Sequence, residues 1–230
     1  MASTAGTGRG WRGTPAARAD DGVVGGTRFD RVAACVAILG AIAVVVANLL
    51  GAWMHPSTGL VADTISNLAA GRHHWVLDGA LVIYGVAMGM IALALWDFDL
   101  GSDVPGGWHW RTGAALIGLV GIAIAVIALW NEYGDGAPGG VTIHLEVVVA
   151  MGVAFALGAM LLSLGLVRLG RGWAAFSLWS GILWLVFGIA FFYFAPDGWD
   201  GLVERVAAGI MVVWSLGMAR LIGRRRELRT

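Results

Sequence analysis

The sequence predicts an all-α protein, a polytopic transmembrane bundle of six spans. Three observations carry this. Only 13% of the 230 residues are charged, roughly half of the ~25% found in an ordinary soluble domain. Hydrophobic residues make up 58% of the chain, and mean hydropathy is +0.78. The apolar residues are gathered into six runs, and each approaches the ~20 residues that cover a ~30 Å hydrocarbon core at ~1.5 Å per residue.

The runs cover residues 32–53, 76–96, 112–130, 143–166, 173–194 and 202–222. Buried helices of soluble proteins are usually shorter and keep a polar stripe, whereas these are apolar nearly all round. Residues 1–28 precede them. They are rich in Ala, Gly, Thr and Arg with no apolar period, and they are predicted to be a disordered cytoplasmic tail. The first apolar run begins too late and is too long for a cleavable leader. Its Cys35 is expected to be a packing residue, and a single cysteine excludes a disulfide framework. The membrane domain is read as residues 29–223. Residues 224–230 form a basic tail whose Arg224, Arg225 and Arg226 would lie against anionic headgroups, each contributing about 1 kcal/mol.

Between the first two spans, Val61, Ile65 and Leu68 recur at helical spacing. Asp63, Ser66 and Asn67 fall opposite them, which predicts a short interfacial helix with its apolar face in the lipid or bundle. Tryptophans 53, 75, 96, 108, 110, 130, 173 and 199 stand at or beside span ends, as interfacial residues do. Small residues four apart (Gly85–Gly89, Ala114–Gly118, Gly121–Ala125 and Ala154–Gly158) allow close helix approach. Packing within the monomer is their expected use, and a homo-oligomer is the alternative.

All fifteen basic residues are arginine. With the N-terminus inside, thirteen of them (positions 9, 12, 18, 28, 31, 111, 168, 171, 220, 224, 225, 226 and 229) lie inside, and only Arg72 and Arg205 lie outside. This bias predicts cytoplasmic termini and a multi-pass protein of the cytoplasmic membrane. The lipid bilayer is therefore the first partner. Zero net charge and a pI of about 7.0 exclude a nucleic-acid partner.

Ionisable residues within spans cost about 2.5–3.5 kcal/mol each at the centre, so their positions are informative. Asp78 is the third residue of the second run, His144 the second of the fourth, and Glu204 and Arg205 open the sixth, with Glu146 two residues past His144. Under the arginine topology all of these sit at the outer ends of their helices. The outer loops add His55, Asp63 and Ser66, then His73 and His74, then Asn131, Glu132 and Asp135, then Asp197 and Asp200. His109 alone of the five histidines falls on the inner side. A ligand-binding pocket is therefore expected at the outer leaflet, built from His55, Asp63, Ser66, Asp78, Asp135, His144, Glu204 and Arg205.

Several segments resemble a known family. His55-Pro56, Asp63-Thr64-Ile65-Ser66-Asn67-Leu68 and a span opening with Asp78 are similar to the bacterial and archaeal domain-of-unknown-function 998 family. So are Gly134-Asp135 followed by His144, and Gly201-Leu202-Val203-Glu204-Arg205 leading to Trp214. The resemblance covers residues 30–222 in order. It implies a six-helix membrane protein with no assigned activity, and it hands over no catalytic residues.

Three functions compete. The first is a binding protein whose outer pocket holds a lipid headgroup, small molecule or partner, with no cofactor. The second is a metal-dependent hydrolase of a lipid or amide. It would hold zinc through His55, Asp63, Asp78 and His144 with an open position for water, and Ser66 would orient water or substrate. It has a distant analogy to ceramidase-like membrane hydrolases, but this chain lacks their paired histidines one turn apart on a single span. The third is proton-coupled transport through Asp78, Glu146 and Glu204, although a carrier places such groups near the midplane. A b-type haem is disfavoured, because the first, third, fifth and sixth runs contain no histidine.

Overall fold

The computed structural model describes residues 28–54, 59–69, 73–98, 107–129 and 140–224. Among them are seven helices and no strand: α1 (Arg28–Met54), α2 (Ile65–Ala69), α3 (His74–Trp96), α4 (Gly107–Leu129), α5 (Gly140–Leu166), α6 (Arg171–Tyr193) and α7 (Asp200–Gly223). All but α2 are long and apolar enough to cross a membrane, so this is a multi-pass membrane protein of six spans. A helix satisfies its own backbone hydrogen bonds and can therefore stand in hydrocarbon. Most helices start a few residues before the apolar run that predicted them, because the flanking polar residues complete a turn at the interface.

The spans form a closed ring in chain order, α1–α3–α4–α5–α6–α7, with α7 returning onto α1 and also touching α3. Contact registers show that ring neighbours run antiparallel. Gly85 and Ala125 meet on α3 and α4, as do Ala92 and Gly118 further along. Gly113 and Leu162 meet on α4 and α5, and Ile117 meets Gly158. At one end of the α1–α7 pair Arg205 bonds Asn48, and at the other Ala34 reaches Gly223. One end of the ring therefore carries α2, the starts of α3, α5 and α7, and the ends of α1, α4 and α6.

Small residues set the closest crossings. A Cβ on Gly85 would stand 2.7 Å from the Gly121 carbonyl oxygen, and one on Gly121 would stand 2.6 Å from that of Gly85. The expected use of these residues within the monomer is what the ring displays, and backbones that approach this closely gain packing that replaces the missing hydrophobic drive. Buried polar groups add cross-links. Ser177 Oγ donates to the Ala159 carbonyl at 2.7 Å, Trp214 Nε1 donates to Ser177 Oγ at 3.0 Å, and Tyr84 Oη donates to Ser215 Oγ at 3.3 Å. At the end opposite α2, Trp110 Nε1 donates to the Leu95 carbonyl at 2.6 Å, and the Arg111 guanidinium lies over the Trp96 ring at 5.8 Å.

Two sequence expectations change. The interfacial helix is five residues long. Residues 60–63 form a turn before it, closed by the Asp63 amide donating to the Gly59 carbonyl. Ser66, expected in the outer pocket, is held toward α7, where its Oγ donates to a carboxylate. Cys35 does not pack inside; it lies on an exposed face of α1. The proposed tail 1–28 lies outside the described residues except for Arg28, which is helical.

Candidate functional site

A cavity of about 330 Å³ opens inside the ring at the α2 end. Every helix contributes to its wall, which is mostly aliphatic and aromatic, with Val44, Leu81, Val148 and Phe191 typical of it. Polar side chains enter from the α2 end: Asn48 from α1, Ser66 from α2, His144 from α5, and Glu204 and Arg205 from α7. A pocket of this size, largely apolar with a few polar groups, falls at the lower end of small-molecule sites, which run from about 300 to 1,000 Å³.

Most of the polar groups serve a second purpose, fastening the segment 59–69 to α7. A five-residue helix cannot stabilise itself, since nucleation costs more than so few bonds return, and its first amides have no internal partners. Two oxygens supply them. Thr64 Oγ1 accepts from the Asn67 amide at 3.1 Å, as an N-cap residue does. Glu204 Oε2 accepts from the Ile65 amide at 2.5 Å, while Oε1 accepts from Ser66 Oγ at 3.2 Å. The carboxylate of a spanning helix thus caps a helix about 140 residues away in sequence, at the end where negative charge is favoured.

Arg205 works beside it. Its Nη1 donates to the carbonyls of Leu60 (2.9 Å), Asp63 (2.6 Å) and Gly201 (3.0 Å), and its Nε donates to Asn48 Oδ1 at 3.1 Å. The Leu202 amide donates to the Val61 carbonyl at 2.9 Å. Gly201 permits this approach, because a Cβ there would run into the Asp63 carbonyl. Leu68 closes the underside, buried with Ala47, Leu77 and Ala80. The segment is thereby seated over the end of the bundle, with Ile65 and Ser66 facing the cavity.

Of the eight residues expected at the site, Ser66, His144, Glu204 and Arg205 meet at this cavity. Asp63 is not in its wall; its Oδ2 accepts from the Gly59 amide at 2.7 Å and so shapes the turn. Asp78 pairs along its own helix with His74 Nδ1 at 2.7 Å. His55 and Asp135 lie outside the described residues. Glu146, assigned to the transport reading, is on an exposed face of α5. Among the described residues no three His, Cys, Asp or Glu side chains gather as a metal-ligand set. The described members of the expected zinc shell, Asp63, Asp78 and His144, do not converge.

The sequence reading passed over Asn48, Tyr84 and Trp184, all of which line the cavity. Asn48 carried a signal, being the one carboxamide in the first apolar run. Its Oδ1 orients Arg205, and its buried Nδ2 has no hydrogen-bond partner among the described residues. Tyr84 and Trp184 had no signal to set them apart from other aromatic residues in spans.

Fold and site together define a polytopic helical membrane protein with an apolar cavity capped by a polar latch at one end. The chain belongs to the DUF998 family of proteins of unknown function, whose model matches residues 38–221. No curated protein and no solved structure matches it at a significant level.

Proposed function

We propose that the protein is a membrane-embedded binding protein whose cavity takes an amphipathic ligand, a lipid or lipid-like small molecule. The apolar part would lie against Leu81, Val148 and Phe191, and the polar head at the α2 end beside His144, Ser66 and Asn48. The observation that carries this reading is the cavity itself, about 330 Å³ with a mostly apolar wall, and with His144, Glu204 and Arg205 all drawn from one end. Among the described residues, seven of eight arginines stand at the end opposite α2, which supports an outward-facing α2 end and cytoplasmic termini, hence a ligand drawn from the outer leaflet of the cytoplasmic membrane. The described carboxylates and imidazoles favour neither hydrolysis nor proton transport, since they form neither a zinc shell nor a mid-membrane relay.

Ala208 lines the cavity and is half-buried on α7, so Ala208→Phe should fill part of the space. The expected result is loss of co-purifying lipid in native mass spectrometry and at least about tenfold weaker rebinding, equivalent to about 1.4 kcal/mol. A folded Ala208→Phe protein that retains lipid as the wild type does would remove this reading.

A further inference from the structure

The shape of the cavity carries the binding reading further, to the part of the ligand that is selected. Its depth is the same on most sides. On α3 the deepest lining residue is Tyr84, ten residues from the helix start at His74; on α1 it is Val44, ten from the end at Met54; on α6 it is Trp184, nine from the end at Tyr193. At ~1.5 Å per residue, ten residues descend about 15 Å, half of a ~30 Å hydrocarbon core. The cavity is therefore one leaflet deep and ends near the middle of the membrane.

Trp184 stands at that depth, and the surrounding chain is fitted to hold its ring there. The indole lies against Gly152 of α5, where any Cβ would collide with its six-membered edge, and a Cβ on Gly188 of α6 would stand 2.9 Å from the same edge. Phe155 packs edge-on to Trp184 with centroids 6.3 Å apart, and Trp214 packs edge-on to Phe155 at 5.5 Å. Phe155 and Trp214 are fully buried, so the bundle is solid behind Trp184 and open in front of it. Among the described residues, the ionisable groups in the cavity wall other than the Tyr84 phenol are His144, Glu204 and Arg205 at the α2 end, which leaves the deep half suited to hydrocarbon.

We infer that the ligand's buried part is a single hydrocarbon chain entering from the α2 end, and that Trp184 is the floor that sets its length. This rests on the binding reading above. The probe is a homologous series of straight-chain fatty acids titrated into the detergent-purified full chain. In the wild type, affinity should rise about fourfold with each added methylene until the chain reaches Trp184, and then stop rising. Trp184→Ala should move that break to longer chains. Val148→Phe, placed on the cavity wall above the floor, should move it to shorter ones, and it keeps the test decisive if the Trp184 variant does not fold. A break that stays at one chain length in the folded variants overturns the role of Trp184 and leaves the binding reading standing. No dependence on chain length in the wild type overturns both.

Discussion

Glu204 shows how one side chain can hold together parts of a membrane protein that are far apart in sequence. Its two oxygens take the Ile65 amide and the Ser66 hydroxyl, and without them the first turn of α2 would face a site where little water competes. A hydrogen bond to a charged group contributes about 1.5–3 kcal/mol in proteins. Glu204→Ala should therefore lower stability in detergent by about that amount and abolish amide-exchange protection at Ile65, with the six spans retained. Unchanged exchange at that amide would show that the cap contributes nothing. The residue stood out in the sequence because a carboxylate inside an apolar run is costly. What it bonds could not be read, because its partners are a backbone amide and a hydroxyl more than 130 residues earlier. Asp78 stood out for the same reason, yet it pairs with His74 one turn away. The insertion cost marks a residue as engaged without saying with what.

At the level of helices, the spans follow from partition of local stretches of chain, and the sequence carries that information almost completely. The pairing of small residues is a different matter. Spacing of four put Gly85 with Gly89 and Gly121 with Ala125 on single helix faces, but only the fold shows that Gly85 faces Gly121 across α3 and α4, and that Gly158 faces Gly113. In Gly121→Val the new Cβ would meet the Gly85 carbonyl at 2.6 Å and the Gly89 nitrogen at 3.0 Å. Both are backbone atoms of a rigid helix and cannot rotate away. Overpacking of this kind costs about 1–3 kcal/mol, so the variant should unfold earlier in a denaturing-detergent titration. An unaltered midpoint would mean that the two helices part without loss. The interfacial helix was legible in outline only, since its length depends on the cap from α7 and not on its own periodicity.

For the whole molecule, the antiparallel ring sorts the charges. Among the described residues, Arg28, Arg31, Arg111, Arg168, Arg171, Arg220 and Arg224 belong to helix ends or turns opposite α2, while Arg205 belongs to the α2 end. Translocation of arginine is disfavoured, so the α2 end should face out. In a Cys35→Ala background, Asp197→Cys should react with a membrane-impermeant maleimide in intact cells, and Arg171→Cys should react only after lysis; both positions are exposed. The reverse pattern would invert the topology and draw the ligand from the cytoplasmic leaflet.

The sequence by itself determined the helical class, the six spans, the sorting of arginines to one side and the end at which ionisable groups gather. Each of these depends on composition and spacing within a short stretch of chain, which meets water or hydrocarbon before it meets any other helix. Tertiary structure alone decided that Glu204 and Arg205 fasten α2, that Asp63 and Asp78 turn to local partners, and that an apolar cavity ends at Trp184. Those outcomes depend on which side chains face one another once the ring closes. A cavity is space that no residue fills, and it has no signature in the order of residues along the chain.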